Sequence, residues 1–357
     1  MNSTAYDSLP EKEVSYGLWG LAARRLLKDR VGMISALVVL LFLLLILCSS
    51  LGLVANDWNE EAGVTYANPV FMAGQPNLEA EMSVEEKKQS DLPPTDISDV
   101  DPLAPWYKEW DKRTAQIQSV EKKPAEALLF GGDKWGRDIV KKTIKGAQTS
   151  IVVGLVSALI AVVLGTLFGA LAGYYGKWVG DFFEWFYNVF TSIPYILLIL
   201  AFAAVFANSP FLAEFRGIPM VVMILALTGW TGIYRLIRAE YIKHRSREYV
   251  RAAEAIGAGH MRRMFIHILP NVSHVIFVQL SLHAVGFIKA EVILSFLGFG
   301  VPVDSVSWGT MLAEAQNELV IGKWWQLVSA GASMAVLVTA FSLFTDALRD
   351  ALDPKLK

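Results

Sequence analysis

The chain has 357 residues, 54% of them hydrophobic, and a formal charge of −2. With a mean hydropathy of +0.41 it is too apolar for an ordinary soluble domain, whose apolar share is about 45–50%. A lone Cys48 excludes an intrachain disulfide, and nucleic-acid binding is not expected of so apolar a chain.

In chain order, residues 1–31 form a polar tail ending in the stretch from Trp19 to Leu27, which can make a short helix lying in a membrane interface with Arg24 and Arg25 toward headgroups. Six stretches then have the length and apolarity of membrane spans: 32–54, 150–174, 183–207, 219–237, 272–296 and 324–345. The first begins at Gly32, is too long for a signal-peptide core and has no small-residue cleavage site behind it, so a cleaved leader is not expected. Pro194 is expected to kink the third span. Arg24, Arg25, Lys28 and Arg30 precede the first span, and Arg235, Arg238, Lys243, Arg245, Arg247, Arg251, Arg262 and Arg263 cluster at the end of the fourth and beyond it. Six spans put these groups on one side, and the positive-inside rule makes that side cytoplasmic, together with both termini and the loop 239–270.

The insert 55–149 then lies outside. Its carboxylates, from Asp57 to Asp101, and its prolines predict a loop-rich segment with one or two short helices, one of them near 107–120. It serves as a spacer, or as a surface for a binding protein or the outer mouth; composition does not choose. Within it, the run FGGDKWGRD places Asp133, Gly136, Arg137 and Asp138 in a glycine-bearing turn, where Arg137 is expected to pair with one of the aspartates. In the second span Gly165, Gly169 and Gly173 repeat every four residues, a helix-packing stripe.

The loop 239–270 carries the most chemistry. Residues 251–256 favour helix, Gly257 and Gly259 each cost roughly 1 kcal/mol inside one, and Pro270 is expected to mark the boundary of the next element. The result is a helix-turn-helix between two spans. Ala252, Ala253, Gly257 and Ala258 present a face of little bulk, ringed by Arg251, Arg262 and Arg263, suited to docking another protein. In the fifth span Lys289 and Glu291 are charges inside an apolar helix, which usually face protein or water. Two residues apart, they point about 200° away from one another and need separate partners. A subunit interface, helix tethering or the lining of a translocation path remain open for them, and Lys289 can also snorkel. After the sixth span, Asp346, Arg349, Asp350 and Asp353 are spaced for contacts one turn apart before Pro354 ends the helix.

Absences limit the function. No GxxxxGK[ST] phosphate loop occurs, so the chain is not expected to hydrolyse ATP. His260, His267 and His274 recur every seven residues, but Gly259 and Pro270 should interrupt any common helix, and no HExxH accompanies them. Neither a metal site nor a catalytic constellation is expected.

Ala252, Ala253, Gly257, Leu269 and Pro270 keep the spacing of the EAA loop, and the chain resembles the permease subunits of ABC importers of the dipeptide/oligopeptide group. Three further runs support it. FGGDKWGRD is similar to that group's GTDxxGRD signature. Glu291, Leu294, Ser295, Phe296, Leu297 and Gly298 are similar to its EaaLSFLGlG. The ending TDALRDALDP is similar to GDxLRDxLDP. The sequence departs at Arg251, where the family has its name-giving glutamate, and at His267, which the peptide-type ending HILPN shares. The resemblance implies an all-α polytopic membrane protein of the type I importer permease kind. It would have six transmembrane helices, a cytoplasmic coupling helix and an external insert after the first helix. Its segments would be a tail 1–31, a first helix 32–54, an insert 55–149, a core 150–345 and a tail 346–357. It implies residence in a bacterial inner membrane and three kinds of partner: a second, B-type permease, two cytoplasmic ATPases and an external solute-binding protein. ATP and magnesium would be used by the ATPases, with no cofactor on this chain. Arg251, Ala252, Ala253, Gly257, Ala258 and Arg262 would dock the ATPase, and Lys289, Glu291 and Ser295 would line the path or the subunit interface. Peptide is the implied cargo; nickel, sugar or a microcin-type peptide are alternatives within the class, and an ion-gradient-driven transporter is the alternative outside it.

Overall fold

The computed structural model describes residues 18–74, 106–107, 109–110, 125–302 and 304–352. The expected helix at 107–120, most of the acidic residues of the insert, Asp353 and Pro354 lie outside the described residues. Helix α1 (Leu18–Lys28) stops at Asp29, whose Oδ1 accepts from the Val31 N–H at 3.0 Å and so caps α2 (Arg30–Ser50). A short parallel pair follows, β1 (Gly63–Pro69) with β2 (Ala125–Leu128), in the register Gly63 to Ala125 and Pro69 to Leu128 with an irregularity between. The remaining helices are α3 (Ile139–Tyr175), α4 (Lys177–Thr191), α5 (Tyr195–Asn208), α6 (Ile218–Gly229), α7 (Thr231–Arg245), α8 (Glu248–Ala255), α9 (His260–Phe296), α10 (Trp308–Val320) and α11 (Trp325–Leu352).

Four helices, α2, α3, α9 and α11, are each long and apolar enough to cross a membrane. The pair α4 and α5 is bent by 90°, and the pair α6 and α7 by 42°; counting each pair as one crossing raises the number to six. Pro194 therefore does more than kink a span. It stands at the N-cap of α5 after a complete break, because its ring removes a backbone donor and crowds the preceding turn. Pro270 does the opposite of what its position suggests. It lies inside α9, directly after a π-helical segment, Arg263–Ile268. The wider π turn moves the carbonyls that a proline would strike in a regular α-helix. His260, His267 and His274 thus share one continuous helix after all, although no cluster of three metal-ligating side chains forms among the described residues.

The chain divides into two compact units. One takes the residues up to Leu44, Ser150–Leu294 and those from Ala335 onward; the other takes Leu45–Thr149 and Ser295–Met334. In the first unit the glycine stripe is a contact of backbone on backbone. A Cβ added at Gly169 would lie 2.7 Å from the Tyr234 carbonyl oxygen, one at Gly173 2.6 Å from that of Arg238, and one at Gly165 would collide with Ile233, so α3 lies directly on α7. Aromatic residues of α4 cover this contact: Phe183, Phe186 and Phe190 pack with Phe168 and with the buried Trp230 at the bend between α6 and α7. Ala22 and Leu26 of α1 pack on Val278, Ala351 and Leu352. The i,i+3 and i,i+4 contacts expected near the end of α11 do not form among the described residues, where Asp346, Arg349 and Asp350 stay exposed without ion pairs.

The second unit contains what the sequence did not announce: the strand pair and helix α10, which begins with a capping box between Ser307 and Thr310. Trp325 Nε1 donates to the Gly132 carbonyl at 2.8 Å and Trp308 Nε1 to that of Thr143 at 3.2 Å, fixing α11 and α10 to the segment that opens α3.

Candidate functional site

Helix α8 runs from Glu248 to Ala255 and ends in a Schellman motif. The Ala258 N–H donates to Ala253 O and the Gly257 N–H to Glu254 O, both at 2.9 Å, with Gly257 at φ +84°. An L residue in that conformation costs about 1–2 kcal/mol, which is why a glycine stands here. The helix is anchored by its inner face. Val250 and Ala253 are buried, and Val250 joins Met264, Ile268 and Val272 of α9, Ile233, Ile237 and Tyr241 of α7 and Val162, Ala170 and Tyr174 of α3 in one hydrophobic cluster. Polar contacts add to this. Arg263 Nη1 meets Glu254 Oε1 at 2.6 Å across the turn, Arg263 Nη2 lies 3.0 Å from His260 Nδ1, and Tyr241 Oη donates to the Met264 carbonyl in the π segment at 3.2 Å.

The small-residue face is therefore split. Ala252 and Gly257 are exposed and Ala258 half-buried, but Ala253 turns into the protein and is only 4% exposed, since consecutive helical residues point about 100° apart. Arg251 and Arg262 are exposed, whereas Arg263 is 92% buried by its 8% exposure and belongs to the anchor. The prominent side chain is Ile256, 86% exposed at the tip, with Met261 beside it at 58%. An isoleucine immediately before the glycine that ends a short polar helix is the signal that could have found it. The outward surface of the loop is an apolar tip flanked by two guanidinium groups.

Along α9, Lys289 is exposed and Glu291 fully buried, so the helix separates them as their spacing requires. Ser295 is buried and its Oγ accepts from the Val301 N–H at 3.1 Å, closing the turn beyond α9. That geometry gives it a structural task.

In the second unit the FGGDKWGRD turn is built around Asp133. Its Oδ1 accepts from the N–H groups of Trp135 and Arg137 at 2.8 and 2.9 Å, and its Oδ2 pairs with Lys142 Nζ at 2.8 Å. Among the described residues Arg137 pairs with no aspartate. Its guanidinium lies over Trp58, 5.6 Å from the ring centroid, and Lys142 takes the cation's place. Lys142 also meets Glu314 at 2.6 Å and donates to Gln326 Oε1 at 3.1 Å. Close by, Glu318 is 2% exposed and both its carboxyl oxygens lack a hydrogen-bond partner. Burial pushes the Glu318 carboxyl up to about 7, Lys142 opposes the shift, and Asp133 and Glu314 add to it. None of Lys142, Glu314, Glu318 or Gln326 stands in a recognisable motif, so only the fold reveals the network.

Taken together, four to six apolar helices and a short helix seated on three of them define a polytopic membrane component with an exposed loop suited to a protein partner. Residues 165–357 match the family described as binding-protein-dependent transport system inner membrane component, and the chain belongs to that family. It is 30% identical over 255 residues to the oligopeptide transport system permease protein OppC of Bacillus subtilis, covering 71% of this chain and 81% of that one. Over 262 residues it is 33% identical to the di/tripeptide transport system permease protein DppC of Pseudomonas aeruginosa, with 71% and 83% covered. Over 231 residues it is 39% identical to the dipeptide transport system permease protein DppC of Escherichia coli, with 65% and 74% covered.

Proposed function

We propose that this chain is one permease subunit of an ATP-driven importer of peptides, in the dipeptide to oligopeptide range, and that α8 is its coupling helix. The family is one of binding-protein-dependent transport, which favours this reading over an ion-gradient-driven one, and the names of the three relatives supply the cargo class. In this reading the chain crosses an inner membrane six times with both termini and α8 in the cytoplasm. The partners are a second, different permease, two ATPases that use ATP and magnesium, and an external binding protein. The FGGDKWGRD turn and the strand pair lie on the outer side.

The observation that carries the reading is the seat of α8. Its apolar, basic tip is free to meet a partner, while on its other face Val250 joins the cluster shared with α3, α7 and α9 and Ala253 is buried. Closure of the ATPases would displace α8, and those helices would tilt with it as a unit, opening the path between the two permeases to alternate sides. Lys289, exposed on a spanning helix, faces the second permease or the path between them, because a lysine facing lipid costs about 2.5–3.5 kcal/mol. Glu291 holds helices together from within.

Ile256→Glu in the full complex tests the assignment. Losing an apolar anchor worth about 1.5–3 kcal/mol predicts at least roughly tenfold weaker ATPase retention and a matching fall in peptide uptake. The second permease should still co-purify. Unchanged ATPase retention and uptake would show that the tip is not the docking surface.

A further inference from the structure

Beside the coupling helix the first unit forms a half-open cavity of about 770 Å³ between the end of α3, the start of α4, α7, α8 and the start of α9. Lys177, Arg238, Arg245, Arg251 and Arg263 line it against a single carboxylate, Glu254. That carboxylate is taken by Arg263, and Arg238 meets Glu184 at a longer 3.3 Å. Among the described residues Lys177, Arg245 and Arg251 form no ion pair. The Nε atoms of Arg238 and Arg263 are buried donors without acceptors, and Arg263 as a whole is more than nine-tenths buried. Lys177, Arg245 and Arg251 are exposed at the open side of the cavity, where water screens their repulsion, while the buried donors left without acceptors each carry a desolvation cost that an anion would relieve.

The shape of the wall says what kind of anion. Gly176, which brings no side chain to cap, and Lys177 open the fifteen-residue helix α4 toward the cavity, so the positive end of a helix adds to the guanidinium groups. Both residues have positive φ, +61° and +46°. Lys177 holds a conformation that L residues rarely adopt, and it does so at the cavity wall. Four arginines line the cavity, and their forked donors suit a phosphate, whose several oxygens can each accept. The cavity lies where α3 leaves its apolar run, beside Trp178, Phe182 and Trp185, all exposed on α4. Exposed aromatic residues beside cations at the end of a spanning helix mark the headgroup level of a membrane.

We propose that this cavity is a binding site for a phosphate ester, with the headgroup phosphate of an anionic phospholipid as the source its position favours and a small soluble phosphate as the other. The site shares Arg251 with the rim of the outward surface but includes neither Ile256 nor Arg262, and it stands whether or not Ile256 docks an ATPase. A phosphate there would neutralise Arg245 and Lys177 and tie the start of α4 to the coupling helix.

Native mass spectrometry of the full chain in detergent, with phosphatidylglycerol or phosphatidylcholine added, tests the lipid source. Melting with and without inorganic phosphate tests the soluble one. Phosphatidylglycerol should be retained over phosphatidylcholine, and Lys177→Gln with Arg245→Gln should reduce its retention roughly tenfold. The charge-preserving pair Lys177→Arg with Arg245→Lys should keep most of it, which separates loss of the site from loss of the fold. Stabilisation by inorganic phosphate that disappears in the Gln pair, without preference for phosphatidylglycerol, would support the same site with a soluble ligand. Equal retention of both lipids with no phosphate effect, or binding unchanged in the Gln pair, would overturn the proposal.

Discussion

Glu318 offers the sharpest test of the structure, because its environment predicts a pH dependence with a definite sign. Its carboxyl is raised from an ordinary 4.5 to about 7, first by burial and then by Asp133 and Glu314, against the pull of Lys142. Below about pH 4.5 the group is protonated in both folded and unfolded chains and contributes nothing. As the pH rises, the unfolded chain releases the proton first, so the fold loses stability progressively until the folded-state group also ionises near pH 7. The full penalty, at about 1.4 kcal/mol per pH unit, approaches about 3.5 kcal/mol in alkaline solution. Glu318→Gln keeps the shape and removes the titration. Relative to the parent, the variant should gain about 2 kcal/mol between about pH 5.5 and about pH 8.5, since only part of the penalty has developed at the lower value. Thermal unfolding of the full chain in detergent at the two values measures it. A stability difference between Glu318→Gln and the parent that stays constant with pH would refute the raised carboxyl and with it the described packing of α10.

Two further outcomes probe the same packing elsewhere. Lys142→Met leaves Asp133 and Glu314 facing each other without their shared cation, and breaking such a buried pair costs about 3–5 kcal/mol; adding Asp133→Asn should restore part of that loss, and simple additivity of the two changes in melting temperature would contradict the network. Gly169→Val puts a side chain against the Tyr234 carbonyl, only 2.7 Å from where its Cβ would fall, so overpacking should cost at least about 1–3 kcal/mol, and an unchanged melting temperature would mean that α3 and α7 do not approach so closely.

How much of this is legible beforehand depends on whether a feature is local. Apolar runs at 32–54, 150–174, 272–296 and 324–345 announce α2, α3, α9 and α11 because the requirement to satisfy backbone groups in lipid is met within each helix. The stripe Gly165, Gly169 and Gly173 is readable for the same reason, as a regular spacing on one helix. Breaks are harder. Pro194 and Pro270 have the same covalent effect on their own backbone, yet one separates two helices by a 90° bend and the other is absorbed by a π segment. Which outcome holds depends on what the neighbouring turn can give up, and on contacts such as the one from Tyr241 to the Met264 carbonyl, 23 residues away in sequence. The burial of Ala253 beside an exposed Ala252 follows from helical geometry once the seat of α8 is known, but nothing in an Ala-Ala pair says which member faces in. The network of Lys142, Glu314, Glu318 and Gln326 joins residues as far as 184 positions apart, and no spacing rule reaches that far.

The contacts of the first unit also determine where a push on α8 can be absorbed. Along the glycine stripe α3 meets the backbone of α7 with no side chain of its own at those three positions, and the side chains on either side are buried in one cluster. Val250 and Met264, fully or nearly buried, bind α8 and the π segment of α9 to the same cluster. The Schellman motif and the Arg263 to Glu254 pair hold the tip in register with its base. A close-packed assembly of this kind moves as a body rather than deforming. In the proposed cycle bending is expected at the two breaks in helical continuity: the Trp230 bend between α6 and α7, and the gap at Ser192 to Pro194 between α4 and α5. Trp230 at the first bend is itself a buried member of the aromatic cluster with Phe186 and Phe190, and Pro194 at the second follows Phe190 by four residues. In the proposed cycle the hinges are therefore these bends, and changes that stiffen them should slow transport while leaving docking at Ile256 intact.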